Sequence, residues 1–197
     1  TIWRNFMMKK KFLATLLAGC LALMLAACGG TPAEGSNASQ NEQPVQLEEF
    51  TAPSGTFAVS LPEIDGGWTV SDGGNEYHLV LDNSDQSFSV MIHALPMEQA
   101  AATFSSLDEI IAFYQQSTLS EYGEPTSSEV VIDDPAIEGV VSDFYEVTQN
   151  NMTADLLISY FQTENAYYVC ILTGTKAAYD ANVDAVKNAL TSFTEKA

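Results

Sequence analysis

Past Cys28 this 197-residue chain has no arginine and only three lysines, Lys176, Lys187 and Lys196, against 26 aspartates and glutamates. A domain so poor in cations repels phosphate backbones and anionic headgroups. Nucleic acid is therefore excluded as a partner, and the acidity reads as solubility of an exported protein. Cysteine is scarce too. Cys20 lies within an apolar leader, Cys28 ends that leader, and Cys170 alone remains beyond it, so no disulfide within the mature domain is expected. Its setting, AYYVCILT, predicts a small buried hydrophobe rather than a reactive thiol.

Histidine and catalytic motifs are equally sparse. His78 and His93 have no His or Cys neighbour at metal-ligand spacing, so both are expected to be structural and no metal site is expected. No GxSxG, SxxK or HExxH pattern occurs, and none of the Gly-Gly pairs at 29–30, 66–67 and 73–74 opens a phosphate loop. A Cys170–His nucleophile pair lacks any surrounding signature. Asp82, Asn83 and Asp85, or Asp133 and Asp134, offer oxygens for calcium without EF-hand spacing. Trp68, Tyr167 and Tyr168 could line a groove, although core packing is the ordinary role of such aromatics. The expectation is a non-catalytic protein with no cofactor.

What the chain does have is an export segment. Lys9, Lys10 and Lys11 form a basic n-region, residues 12–26 an apolar run, and Leu25-Ala26-Ala27 precede Cys28. The run is short for a membrane span, which takes ~20 residues, and it ends in small residues suited to cleavage. The four residues Leu25-Ala26-Ala27-Cys28 resemble the bacterial lipobox. That resemblance implies diacylglycerol transfer to the Cys28 sulfur and cleavage between Ala27 and Cys28. Residues 1–6 fit no part of a signal, and Met7 or Met8 makes a better start. Residues 28–46 are rich in Gly, Ser, Asn, Gln, Pro and Glu, too polar to bury a core, and read as a lipid-anchored flexible tether. The division is thus signal 1–27, tether 28–46 and domain 47–197.

Within the domain the pattern is mostly β. TFAVSLPE alternates Phe57, Val59 and Leu61 with polar or small residues before Pro62; GWTVS is a short extended piece. EYHLVLD and SFSVMIHAL are strands flanking the turn NSDQ. Ser106 and Glu109 make a capping box for a helix with Leu107, Ile110, Ile111 and Tyr114 on its apolar face, fading near Gly123-Glu124-Pro125. SSEVVID and GVVSDFYEVTQ resume the strands. ADLLISYFQ and AYYVCILTG form a hairpin around Thr163-Glu164-Asn165, and their near-continuous apolar character predicts coverage on both faces. A last helix over 177–193 carries Tyr179, Val183, Val186, Leu190 and Phe193 as its core stripe. Strands joined by short turns, with helices between, predict an α+β fold on an antiparallel sheet.

The opening FAVSLPEIDGGWTVSD, with its Phe, Pro and Gly-Trp, and the closing YYVCILTGTKAAYDANVDAVKNALTSF, a strand then a helix ending in Ser-Phe, are similar to PsbP-like domains. The resemblance covers most of residues 50–195 as a pattern of apolar positions. It implies an α/β/α sandwich around a central antiparallel sheet. It also implies adaptor or accessory behaviour, the trait shared by a photosynthetic oxygen-evolving accessory protein, bacterial surface lipoproteins and a Ran-binding factor. The expected function is a lipid-anchored, extracytoplasmic, PsbP-like binding or accessory lipoprotein. It would be held to the membrane through Cys28, with a protein or envelope partner, and the composition leans towards a Gram-positive cell surface. The alternatives are a cell-surface hydrolase with an unrecognised active site and a small solute-binding lipoprotein.

Overall fold

Two near-continuous apolar runs make the centre of the structure. They are the strands β8 (Met152–Gln162) and β9 (Ala166–Thr175), an antiparallel hairpin in which Ile158 faces Ile171 and Tyr160 faces Val169. Leu157, Phe161, Tyr168, Cys170 and Leu172 fill one face; Leu156, Ile158, Tyr160, Val169 and Ile171 fill the other, and all are buried. Coverage on both faces was the expectation from their composition.

Around this hairpin stand β3 (Trp68–Ser71), β4 (His78–Asn83), β5 (Phe88–Pro96), β6 (Thr126–Ser127) and β7 (Glu138–Gln149). The seven strands run antiparallel in the order β3-β4-β5-β9-β8-β7-β6. The tight approach of β5 to β9 requires glycine at one point: a Cβ on Gly174 would stand 2.7 Å from the Ser87 carbonyl oxygen. The computed structural model describes residues 46–127, 132, 134–149 and 152–196. The leader, Ala27, Cys28 and the tether lie outside the described residues, as do Asp133 and most of the expected SSEVVID strand. Residues 47–197 form one compact unit.

The helices are α1 (Met97–Ala100), α2 (Leu107–Ser117) and α3 (Lys176–Leu190). The side chain of Ser106 caps α2 by accepting from the Glu109 amide at 3.3 Å. The returning bond of the box falls one residue early, because Glu109 Oε2 accepts from the Ser105 amide at 2.7 Å. On α3, Tyr179, Val183, Val186 and Leu190 enter the core with Phe88, Val90, Tyr168 and Leu172. The sheet thus carries α3 on one face and α2 on the other, the layered α+β arrangement expected.

A second, smaller sheet stands beside the central one. β1 (Leu47–Thr51), β2 (Phe57–Pro62) and β10 (Thr194–Glu195) form a separate three-stranded sheet in the order β1-β2-β10. Phe57, Val59 and Leu61 of β2 join the core shared with α3. The last helix also stops at Leu190, earlier than expected, so Phe193 reaches the core from the turn into β10.

The start of α3 holds a charge inside the fold. Asp155 of β8 is buried, its Oδ2 lies 3.4 Å from Lys176 Nζ, and its Oδ1 has no hydrogen-bond partner among the described residues. Lys176 also reaches Asp180 at 3.4 Å. Burial raises the Asp155 pKa above the ordinary 3.8, against the lowering effect of Lys176. The folded state therefore holds this proton more tightly than the unfolded chain does. The stability it contributes is complete below pH 3.8 and is lost as pH rises through the folded pKa. Asp155→Asn is expected to melt at a higher temperature than wild type at neutral pH, with the gap closing near pH ~3. Thermal scans across that range check it; a lower melting point for the Asn variant at neutral pH would mean that the Lys176 pair outweighs the burial.

Candidate functional site

Apart from Asp155 at the start of α3, the buried polar groups of interest lie on the face of the large sheet beneath α2. Alternation along β7 turns Val141, Asp143, Tyr145 and Val147 to this side, and along β8 it turns Leu156, Ile158 and Tyr160. Val141 faces Tyr160 directly and Asp143 faces Ile158, so Asp143 and Tyr160 are diagonal neighbours. From above, α2 brings Tyr114 and Gln115. Gln115 Nε2 donates to Asp143 Oδ2 at 2.8 Å, and the Tyr114 ring meets Tyr160 edge-on at 6.0 Å.

Asp143 is only 4% exposed, and its single hydrogen-bond partner among the described residues is the neutral Gln115 amide. The Tyr160 hydroxyl is fully buried and has no hydrogen-bond partner among the described residues. Burial pushes the Tyr114 phenol up to about 12. Burial first, then the charges of Asp143 and Glu124, takes Tyr145 to about 12. Tyr160 is raised further by burial and by Asp143, Tyr145 and Tyr114. These phenols therefore stay protonated at neutral pH and present hydroxyls, not charges, around a carboxylate.

The two histidines adjoin this cluster. His78 and His93 face each other across β4 and β5, their rings stacked at 4.2 Å. His93 Nδ1 lies 3.4 Å from the Tyr114 hydroxyl and His78 Nδ1 lies 3.2 Å from the Gly73 carbonyl oxygen. Cys170 projects from the opposite face, in the core shared with α3, and burial raises its thiol to about 12. A Cys170–His nucleophile pair is therefore ruled out by placement.

The acidic stretches are occupied by local hydrogen bonds. Asp82 accepts from Ser71 Oγ at 2.6 Å and Ser89 Oγ at 2.5 Å. Asn83 bonds Ser87 Oγ and the Phe88 amide, each at 3.0 Å, and Asp85 caps the same turn through the Ser87 amide at 3.0 Å. Asp134 accepts from the Ala136 amide at 2.8 Å. Among the described residues no three His, Cys, Asp or Glu side chains stand together as metal ligands. Trp68 donates through Nε1 to the Pro62 carbonyl at 2.8 Å, and Tyr167 and Tyr168 are buried on opposite sides of β9.

Sequence reasoning missed the Asp143 cluster. Its signal was a charged residue on the inward row of an alternating strand, Val141-Asp143-Tyr145-Val147. The identity of the covering helix was not readable, because sheet order decides it.

No protein-family model matches the chain, and no curated protein matches it in sequence. Solved structures do resemble it. Cyanobacterial PsbP (CyanoP) from Synechocystis is 12% identical at a TM-score of 0.46, over 81% of this chain and 98% of that one. LpqN of Mycobacterium tuberculosis, described as involved in cell envelope biogenesis, is 12% identical at a TM-score of 0.44, over 79% and 93%. A protein from Bacteroides thetaiotaomicron is 13% identical at a TM-score of 0.46 over 76% of this chain, which spans 48% of its length.

Proposed function

We propose that this chain is a lipid-anchored, extracytoplasmic binding or accessory module of PsbP-like type, non-catalytic, held at the membrane by Cys28 and acting on a protein or envelope partner. The lipobox Leu25-Ala26-Ala27-Cys28 behind a basic and then apolar leader carries the reading. The core position of Cys170 supports it, since the mature domain's only thiol is placed for packing rather than attack.

The anchor matters if it concentrates the domain beside a membrane-bound partner. A flexible tether of about 18 residues has a typical reach of roughly 20–25 Å, which suits a partner close to the bilayer. The test compares three forms in a host lacking the native gene: the wild type, a secreted form without Cys28, and a form with the tether cut to a few residues. Both altered forms are expected to lose activity while the domain stays folded. A secreted form that restores the wild-type phenotype at equal abundance would overturn the anchored reading and favour a diffusing hydrolase or solute carrier.

A further inference from the structure

The buried carboxylate beneath α2 makes no ion pair with a lysine among the described residues, and the chain beyond Cys28 has only three lysines to supply. Its three lysines are engaged elsewhere: Lys176 with Asp155 and Asp180, Lys187 with Asp184, Lys196 with Glu49. Asp143 makes no ion pair among the described residues, and its one hydrogen bond comes from a neutral amide. A carboxylate removed from water without a cation carries a large desolvation cost.

A second unsatisfied group lies diagonally across the sheet. The Tyr160 hydroxyl is fully buried and has no hydrogen-bond partner among the described residues, and the Tyr114 ring stands edge-on beside it. Val141, directly opposite Tyr160 on the same face, is 40% exposed, so it is the apolar side chain of this face that stands nearest solvent beside the two polar groups.

We propose that Asp143 and Tyr160 form a binding site for the head of a primary alkylammonium ion, with the alkyl chain lying along Val141. The charge complements Asp143. The ammonium N–H groups donate to Asp143 and to the Tyr160 oxygen, both acceptors. A quaternary ammonium has the charge but no N–H and leaves both acceptors unmet. This deepens the binding-module reading and rests on it, by naming what the module takes.

The experiment is thermal unfolding of the detergent-solubilised full-length protein with n-butylammonium chloride, against tetramethylammonium chloride and sodium chloride at matched ionic strength. Butylammonium is expected to raise the melting temperature saturably, and the two control salts are not. Asp143→Asn, which keeps the shape and an acceptor for Gln115, should remove the saturable shift. Tyr160→Phe should weaken binding about tenfold, the equivalent of one hydrogen bond; if the Asn variant fails to fold, this variant decides. Equal shifts with tetramethylammonium, or saturable binding that survives either substitution unchanged, would overturn the site. The titration needs no membrane, so its failure is separate from failure of the anchored reading, which only the three-form comparison in the host can overturn.

Discussion

Phe193→Ala is expected to lower the free energy of unfolding by about 3–5 kcal/mol. The ring is 2% exposed and lies among three others: it stacks on Phe57 at 5.8 Å and meets Phe161 and Tyr168 edge-on at 5.1 and 4.8 Å. Those partners come from β2, β8 and β9, so one side chain ties the small sheet to the large one. Removing it exposes faces of three packed rings and leaves a cavity that strands held by their own ladders cannot close. Urea unfolding should show a lower midpoint at an unchanged slope. Leu47→Ala, at a half-exposed position on β1, is the control and should change stability by less than ~0.5 kcal/mol. A loss of under ~1 kcal/mol for Phe193→Ala would show that the cavity collapses and that the ring is peripheral.

The reasons Phe193 was legible, and the reasons its setting was not, are different in kind. Spacings of four and three from Tyr179 to Leu190 mark a helix face, because side chains that far apart share one side of a 3.6-residue turn. Phe193 continues that count, yet the helix ends at Leu190 and the ring arrives from a turn. Periodicity reports that a residue is apolar and due inward; it does not report the cap that stops the helix. β10 has two residues and β1 alternates only weakly, so neither rises above loop composition, and both owe their existence to pairing with β2. The candidate site escaped for a related reason. Asp143 meets Tyr160 through the β7–β8 register and Gln115 through the placement of α2, and both are tertiary facts. His78 and His93 were read correctly as strand residues, but their stacking depends on a register that no local pattern specifies.

Glu195→Ala is expected to cost about 1–3 kcal/mol, the penalty for leaving a buried hydroxyl without an acceptor. The Glu195 carboxylate receives three hydrogen bonds, each of 2.8 Å: from Tyr168 Oη and Thr163 Oγ1 to Oε1, and from Asn165 Nδ2 to Oε2. It thereby closes β10 onto the turn between β8 and β9. Tyr168 belongs to the four-ring cluster and is 1% exposed, so water reaches its hydroxyl poorly once the carboxylate is gone. Burial, then the bond to Glu195 and its charge, holds this phenol well above its ordinary value, so it remains a donor throughout the neutral range. Glu195→Gln keeps an acceptor for Tyr168 but turns an amide N–H toward Asn165, and should fall between wild type and Ala. Tyr168→Phe supplies the decisive comparison. Removing donor and acceptor together is less costly than orphaning one of them, so the double variant should lose less stability than the sum of the two single losses. Chemical denaturation of the four proteins measures that coupling. Strictly additive losses would mean that the hydroxyl finds another acceptor and that the C-terminal strand is held by β2 alone.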